Sequence, residues 1–173
     1  MTAQIANGGY KIKPKIIVND DPLSLENAKT AMELQSLQTP NTKLFNDPKN
    51  IKIVQEAMFS STNEQFGTSY RSRIDDPKYQ FAGKTGTAQV KRISKREREL
   101  DLKLEQIPYK DRDHALYVAY GPYKNPRYAL SIIVEHGGSG SKAAAPMAKE
   151  LFKLIIDRDE LRDKQSNFEN INI

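Results

Sequence analysis

The chain has 173 residues, 38% of them apolar, and a mean hydropathy of −0.69, enough for one compact domain with an economical core and too little for two. Its net charge of +5, from 27 basic and 22 acidic residues, lacks the one-sided basic face of a nucleic-acid binder, so no nucleic-acid partner is expected. Cysteine is absent and His114 and His136 are the only histidines, which excludes disulfides and thiolate sites and leaves no metal or cofactor expected.

Met1 to Gly9 reads as the end of a helix, with Ala3, Ile5 and Ala6 as packers and Asn7-Gly8-Gly9 as its stop. Tyr10 to Val18 alternates apolar residues with lysines and suits an edge strand. Asp20 to Asn46 reads as loop with a short helix over Leu25 to Leu37. Asn46-Asp47-Pro48 then starts a helix, carried by Ile51, Val54, Ala57 and Met58 at helical spacing and closed by Phe66-Gly67-Thr68.

Three strands follow, over Gln80 to Val90, His114 to Tyr120 and Tyr128 to Glu135. The third places Tyr128, Leu130, Ile132 and Val134 on one face, and Gly121-Pro122 with Asn125-Pro126 forms its hairpin connection. The charge-dense stretch Lys91 to Lys110 interrupts the first two strands and reads as a solvated excursion. Gly137-Gly138-Ser139-Gly140 marks a sharp loop before a helix from about Ala143 to Arg158. There Met147, Leu151, Leu154 and Ile155 form a stripe expected to cover one sheet face. Residues 165–173 are expected to be a flexible tail. This order predicts an α/β (α+β) fold. No leader segment is recognisable and no apolar run approaches the roughly 18 residues needed to span a bilayer, so the chain alone is expected to stay cytoplasmic.

The chemistry concentrates in Lys84-Thr85-Gly86-Thr87, inside the first strand. Lys84 offers a cation to a carboxylate or to developing negative charge. Thr85 and Thr87 offer hydroxyls to a peptide carboxylate, and Gly86 removes a side chain where a ligand backbone must approach. The edge can pair with an extended peptide, and the Thr87 N–H can serve as one donor to an oxyanion. The strand supplies no nucleophile with a base beside it. Two other patterns could be mistaken for one. Ser139-Gly140-Ser141-Lys142 has the Ser-x-x-Lys form but lies after the Lys-Thr-Gly, where Ser139 suits a helix cap. Ser61-Thr62-Asn63 has the Ser-x-Asn form but is expected in the turn after the Asn46–Met58 helix. His136, beside Glu135, and His114, at a strand start, read as surface or capping residues, and Asp75-Asp76 as a turn.

Lys-Thr-Gly is the third signature of penicillin-binding proteins and class A β-lactamases. With it, Ala6-Asn7-Gly8-Gly9, Asp113-His114-Ala115-Leu116 leading to Tyr120-Gly121-Pro122, and Val134 to Gly140 follow one another in a recognisable order. In this the chain resembles the penicillin-binding protein 2 family, the elongation-specific peptidoglycan transpeptidases, from about Met1 to Ile156. The resemblance implies a partial penicillin-binding/β-lactamase-like transpeptidase fold: an antiparallel sheet flanked by helices, with residues 1–164 as the C-terminal portion of that domain. It implies a serine acylated by the D-Ala-D-Ala end of a stem peptide, or by β-lactams. It makes Lys84, Thr85, Gly86 and Thr87 substrate-binding and the Thr87 amide an oxyanion donor. The family acts at the periplasmic face of the inner membrane. The family's Ser-x-x-Lys precedes its Lys-Thr-Gly. The chain is therefore expected to lack the nucleophile, to be inactive alone, and to pair with a separately encoded N-terminal half. The alternatives are an inactive remnant, or a small basic binding module using Lys91 to Lys110.

Overall fold

A computed structural model describes residues 1–12, 43, 47–92, 100 and 102–171, with side chains considered through residue 161. Most of the strand expected over residues 10–18 and the helix over 25–37 lie outside the described residues, as does the middle of the 91–110 excursion.

Helix α1 (Thr2–Ala6) ends where the sequence supplies its stop. Gly8 and Gly9 take φ of +84° and +93°, and the Gly9 N–H returns to the Gln4 carbonyl at 2.7 Å. Helix α2 (Pro48–Asn63) starts at an Asp47 cap whose carboxylate accepts the Lys49 N–H at 2.8 Å, with Pro48 in the first turn. The Gln55 amide donates to the Ile5 carbonyl at 2.7 Å and ties α1 to α2.

The sheet has three antiparallel strands in the order β1 (Ala82–Ala88), β2 (His114–Gly121), β3 (Tyr128–Val134). Lys84 stands opposite Val118, Thr85 opposite Tyr117, Gly86 opposite Leu116, and Thr87 opposite Ala115. Because side chains alternate, this register gives each face its own core. On one face Phe81, Ala115, Tyr117 and Ala119 are buried with Ala144, Ala145, Ala148, Phe152 and Ile156. On the other, Ala82 and Tyr120 are buried with Met58 of α2, and Ile5, Ala6 and Val118 pack around them.

A π turn over Gly140–Ala144 leads into helix α3 (Ala145–Ile171), so the α-helix proper starts two residues after the expected Ala143 and runs well beyond Arg158. Its buried face also corrects the expected stripe. Met147, Leu151 and Leu154 are 49, 40 and 66% exposed, and the residues against the sheet are Ala144, Ala145, Ala148, Phe152 and Ile156. Alanines let the helix approach closely enough for Phe152 to stack on Phe81, ring centroids 4.9 Å apart. Met147, Leu151 and Leu154 are left on the outer face. No helix among the described residues is long and apolar enough to cross a membrane.

Candidate functional site

Lys84, Thr85, Gly86 and Thr87 lie together on β1, an edge strand among the described residues. The strand enters deeply buried at Phe81 and Ala82 and emerges at Lys84, so the tetrad is held by a rigid root and presented at the surface. Lys84 and Thr87 are exposed; Thr85 and Gly86 are half-buried. The Lys84 ammonium donates to the Thr85 carbonyl at 2.9 Å and lies 3.4 Å from the Thr85 hydroxyl.

A line of hydroxyls extends from this point. Thr85 Oγ1 is 3.2 Å from Thr68 Oγ1, which is 3.2 Å from Ser61 Oγ. The loop after α2 brings Thr68 there by folding back on the helix end: the Gly67 N–H donates to the Glu64 carbonyl at 2.8 Å and the Ser69 N–H to the Ser61 carbonyl at 3.0 Å. Only glycine fits at residue 67, because a Cβ would meet the Ser60 carbonyl oxygen at 2.5 Å. Thr68 is thus a member of the polar cluster that sequence reasoning missed, and Ser61, which that reasoning set in a turn, joins it. Residues seven and seventeen positions apart meet there. The Gly67 turn after a helix was the available signal.

Beside Lys84 opens an apolar groove of about 650 Å³, walled by Met1, Ile5, Ile53, Val54, Phe66 and Val118. Phe66 is 84% exposed and Ile53 62%. Apolar surface is thus gathered next to a cation and three hydroxyls.

The two decoy motifs are placed differently from each other. Ser61-Thr62-Asn63 forms the last turn of α2, a correction to the expected turn beyond the helix. The helix persists because its end is bonded from within and without: the Glu64 N–H donates to the Ser60 carbonyl, and the Asn63 amide donates to the carbonyls of Phe59 at 3.0 Å and Phe81 at 2.9 Å. Thr62 is buried, its hydroxyl 2.9 Å from that of Tyr117. Ser139 occupies the position before the Gly140–Ala144 turn and caps it through its carbonyl, which accepts from Lys142 and Ala143; its hydroxyl instead lies 2.9 Å from that of Ser141.

Asp76 closes a turn, accepting the Lys78 N–H at 2.9 Å. His114 and His136 contact each other rather than standing apart, their ring centroids 4.8 Å apart.

Comparison with known proteins shows the family of the chain. The family model described as penicillin binding protein transpeptidase domain matches residues 1–153. The chain is 33% identical over 155 residues to a peptidoglycan D,D-transpeptidase MrdA of Salmonella typhimurium, covering 88% of this chain and 23% of the relative. It is 35% identical over 159 residues to MrdA of Acinetobacter baumannii, covering 87% and 20%. Among solved structures, Pseudomonas aeruginosa PBP2 in complex with WCK 5153 superposes with a TM-score of 0.58 at 29% identity, over 88% of this chain and 28% of that one. PBP2 of Helicobacter pylori, solved in complex with MreC, gives 0.59 at 28% identity, over 88% and 23%. The chain therefore spans about a quarter of the length of the relatives it matches.

Proposed function

Because this chain belongs to the penicillin-binding protein transpeptidase family, in its PBP2-like branch, we propose that it supplies the Lys-Thr-Gly wall of a peptidoglycan D,D-transpeptidase cleft used in cell-wall elongation. The reading is carried by one observation: Lys84 and Thr85 of β1 meet Thr68 of the loop after α2 at the rim of an apolar groove.

The roles follow from what each group can do. Lys84 holds positive potential against the carboxylate end of a stem peptide or the anion that forms during acyl transfer. Thr85 and Thr87 hydrogen-bond the terminal carboxylate and orient the scissile amide. The open part of the β1 edge pairs with the extended D-Ala-D-Ala end, and Gly86 leaves room for its backbone. The Thr87 N–H is one oxyanion donor. A serine outside this chain attacks the penultimate D-alanine carbonyl, forming an ester and releasing the terminal D-alanine, and β-lactams acylate the same hydroxyl. The polypeptide carrying that serine closes the apolar groove. The assembled cleft works on the periplasmic side of the inner membrane.

Fluorescent penicillin followed by a denaturing gel tests this. The chain alone is expected to stay unlabelled. Mixed with the N-terminal polypeptide of a PBP2-like relative, it is expected to restore labelling on that polypeptide, and Lys84→Ala should reduce this at least tenfold. Covalent label on the chain alone, or labelling indifferent to Lys84, overturns the reading.

A further inference from the structure

We propose that His114 and His136 are positioning residues for the Lys-Thr-Gly strand, holding its Gly86 from behind through the 137–140 loop and releasing it when His114 is protonated. That the strand is a substrate wall rests on the reading above; that the two histidines hold it does not.

The contact behind the strand is between two main chains. A Cβ on Gly140 would lie 2.6 Å from the Gly86 carbonyl oxygen and 3.1 Å from its nitrogen, and would also strike the Leu116 carbonyl. Gly140 is therefore seated directly against the centre of the tetrad, and wherever its loop goes, Gly86 loses or keeps its backing.

Three bonds at the far end of the sheet fix that loop. The His136 N–H donates to His114 Nδ1 at 2.9 Å, His136 Nδ1 lies 3.0 Å from the Arg112 carbonyl oxygen, and the Gly138 N–H donates to the Asp113 carbonyl at 2.8 Å. His136 takes a φ of +55°, in the left-handed region that residues with a Cβ adopt uncommonly. His114 stands opposite Ala88, one position beyond Thr87.

The donors and acceptors assign the protons. A main-chain N–H can be accepted only by a bare ring nitrogen, so His114 carries its proton on Nε2. A carbonyl oxygen only accepts, so His136 carries its proton on Nδ1. A second proton on His136 leaves its Nδ1–H bond intact. A second proton on His114 sets N–H against N–H and breaks the bond that holds His136. Other groups pack around the pair: the Tyr109 ring centroid lies 4.9 Å from that of His136, and the Arg112 guanidinium lies over the Tyr109 ring, 5.7 Å from its centroid. The Asp113 carboxylate accepts the Val90 N–H at 3.3 Å, Asp111 pairs with Lys91, and Glu135 and Lys142 flank the loop in sequence. The loop is thus held while His114 Nδ1 is bare and loosened once that nitrogen takes a proton, and His114 is the group that decides.

Amide exchange on the isotope-labelled full chain, from pH 8 to pH 5 and corrected for intrinsic rates, tests this together with the imidazole signals. Protection at His136, Gly138 and Gly86 is expected to fall together by about tenfold as the His114 ring protonates. His114→Asn, whose side-chain oxygen can accept the same N–H but does not titrate, should keep protection flat across the range. His114→Phe, which fills space without accepting, should be poorly protected at every pH. The proposal is overturned if His114 protonates while Gly138 and Gly86 keep their protection, or if His114→Asn follows the wild-type pH profile. Should His114→Phe fail to fold, the comparison of wild type with His114→Asn decides. No serine, penicillin or partner enters this measurement, so its failure and that of the transpeptidase reading are separate results.

Discussion

Tyr117 joins both requirements of the site in one side chain. Its ring packs edge-on to Phe81 in the core beneath α3, centroids 6.5 Å apart, while its hydroxyl lies 2.9 Å from that of Thr62 and 3.1 Å from that of Ser69. Gly83 makes this possible, since a Cβ there would occupy the place of the phenol oxygen. Burial pushes the phenol above the ordinary tyrosine range, partly offset by Ser69 and Thr62, so it stays neutral and able to bond both. Tyr117→Phe leaves two buried hydroxyls short of a partner and is expected to cost about 1–3 kcal/mol, read as a lower urea midpoint with an unchanged slope. An unmoved midpoint would show the hydroxyl to be dispensable. At this scale the sequence displays the Lys84–Thr87 tetrad directly, because those groups are adjacent. It hides the Tyr117–Thr62–Ser69 cluster and the histidine pair, because they depend on residues 55, 48 and 22 positions apart converging in space.

Between elements, the approach to β1 is clasped to α3 by charge. The Lys78 ammonium lies 2.8 Å from a Glu160 oxygen and 3.2 Å from Asp157, whose carboxylate also accepts the Tyr79 hydroxyl. Glu160, with Tyr79 and Asp157, raises Lys78 above the ordinary lysine range, and the Tyr79 hydroxyl, then Lys78, holds Asp157 below the ordinary carboxylate range. The raised lysine contributes below its unfolded value and stops as pH climbs through its folded one. The depressed carboxylate contributes above its unfolded value and stops as pH falls through its folded one. The clasp therefore holds across neutral pH and weakens first in acid. Lys78→Met is expected to lower the urea midpoint slightly at about pH 7, the pair being half-exposed, and the gap to wild type should close at about pH 2. A gap that persists in acid would assign it to packing of the lysine stem. The strands were legible because alternation in a half-buried sheet is strict; Tyr128, Leu130, Ile132 and Val134 do pack on the core. The buried face of α3 was not, since alanines carry little hydrophobic signal and the larger Met147, Leu151 and Leu154 sit on the other side.

For the molecule as a whole, the transpeptidase fold class was readable from the order of its motifs, whereas the groove was not, since it exists only once α1, α2 and β2 are assembled around Lys84. If a serine-bearing polypeptide closes it, a fluorescent dye that binds apolar surface should light up on the chain alone and be displaced when the N-terminal polypeptide is added. Dye retained after mixing would mean the groove is not where the two meet. The same uncovered surface has a bearing on abundance. Quality-control machinery selects chains by the grease they show, and a copy left without its cover offers Phe66, Ile53 and Met1 together. A face kept packed escapes that selection, so the element that covers it protects the amount of protein as well as completing the wall.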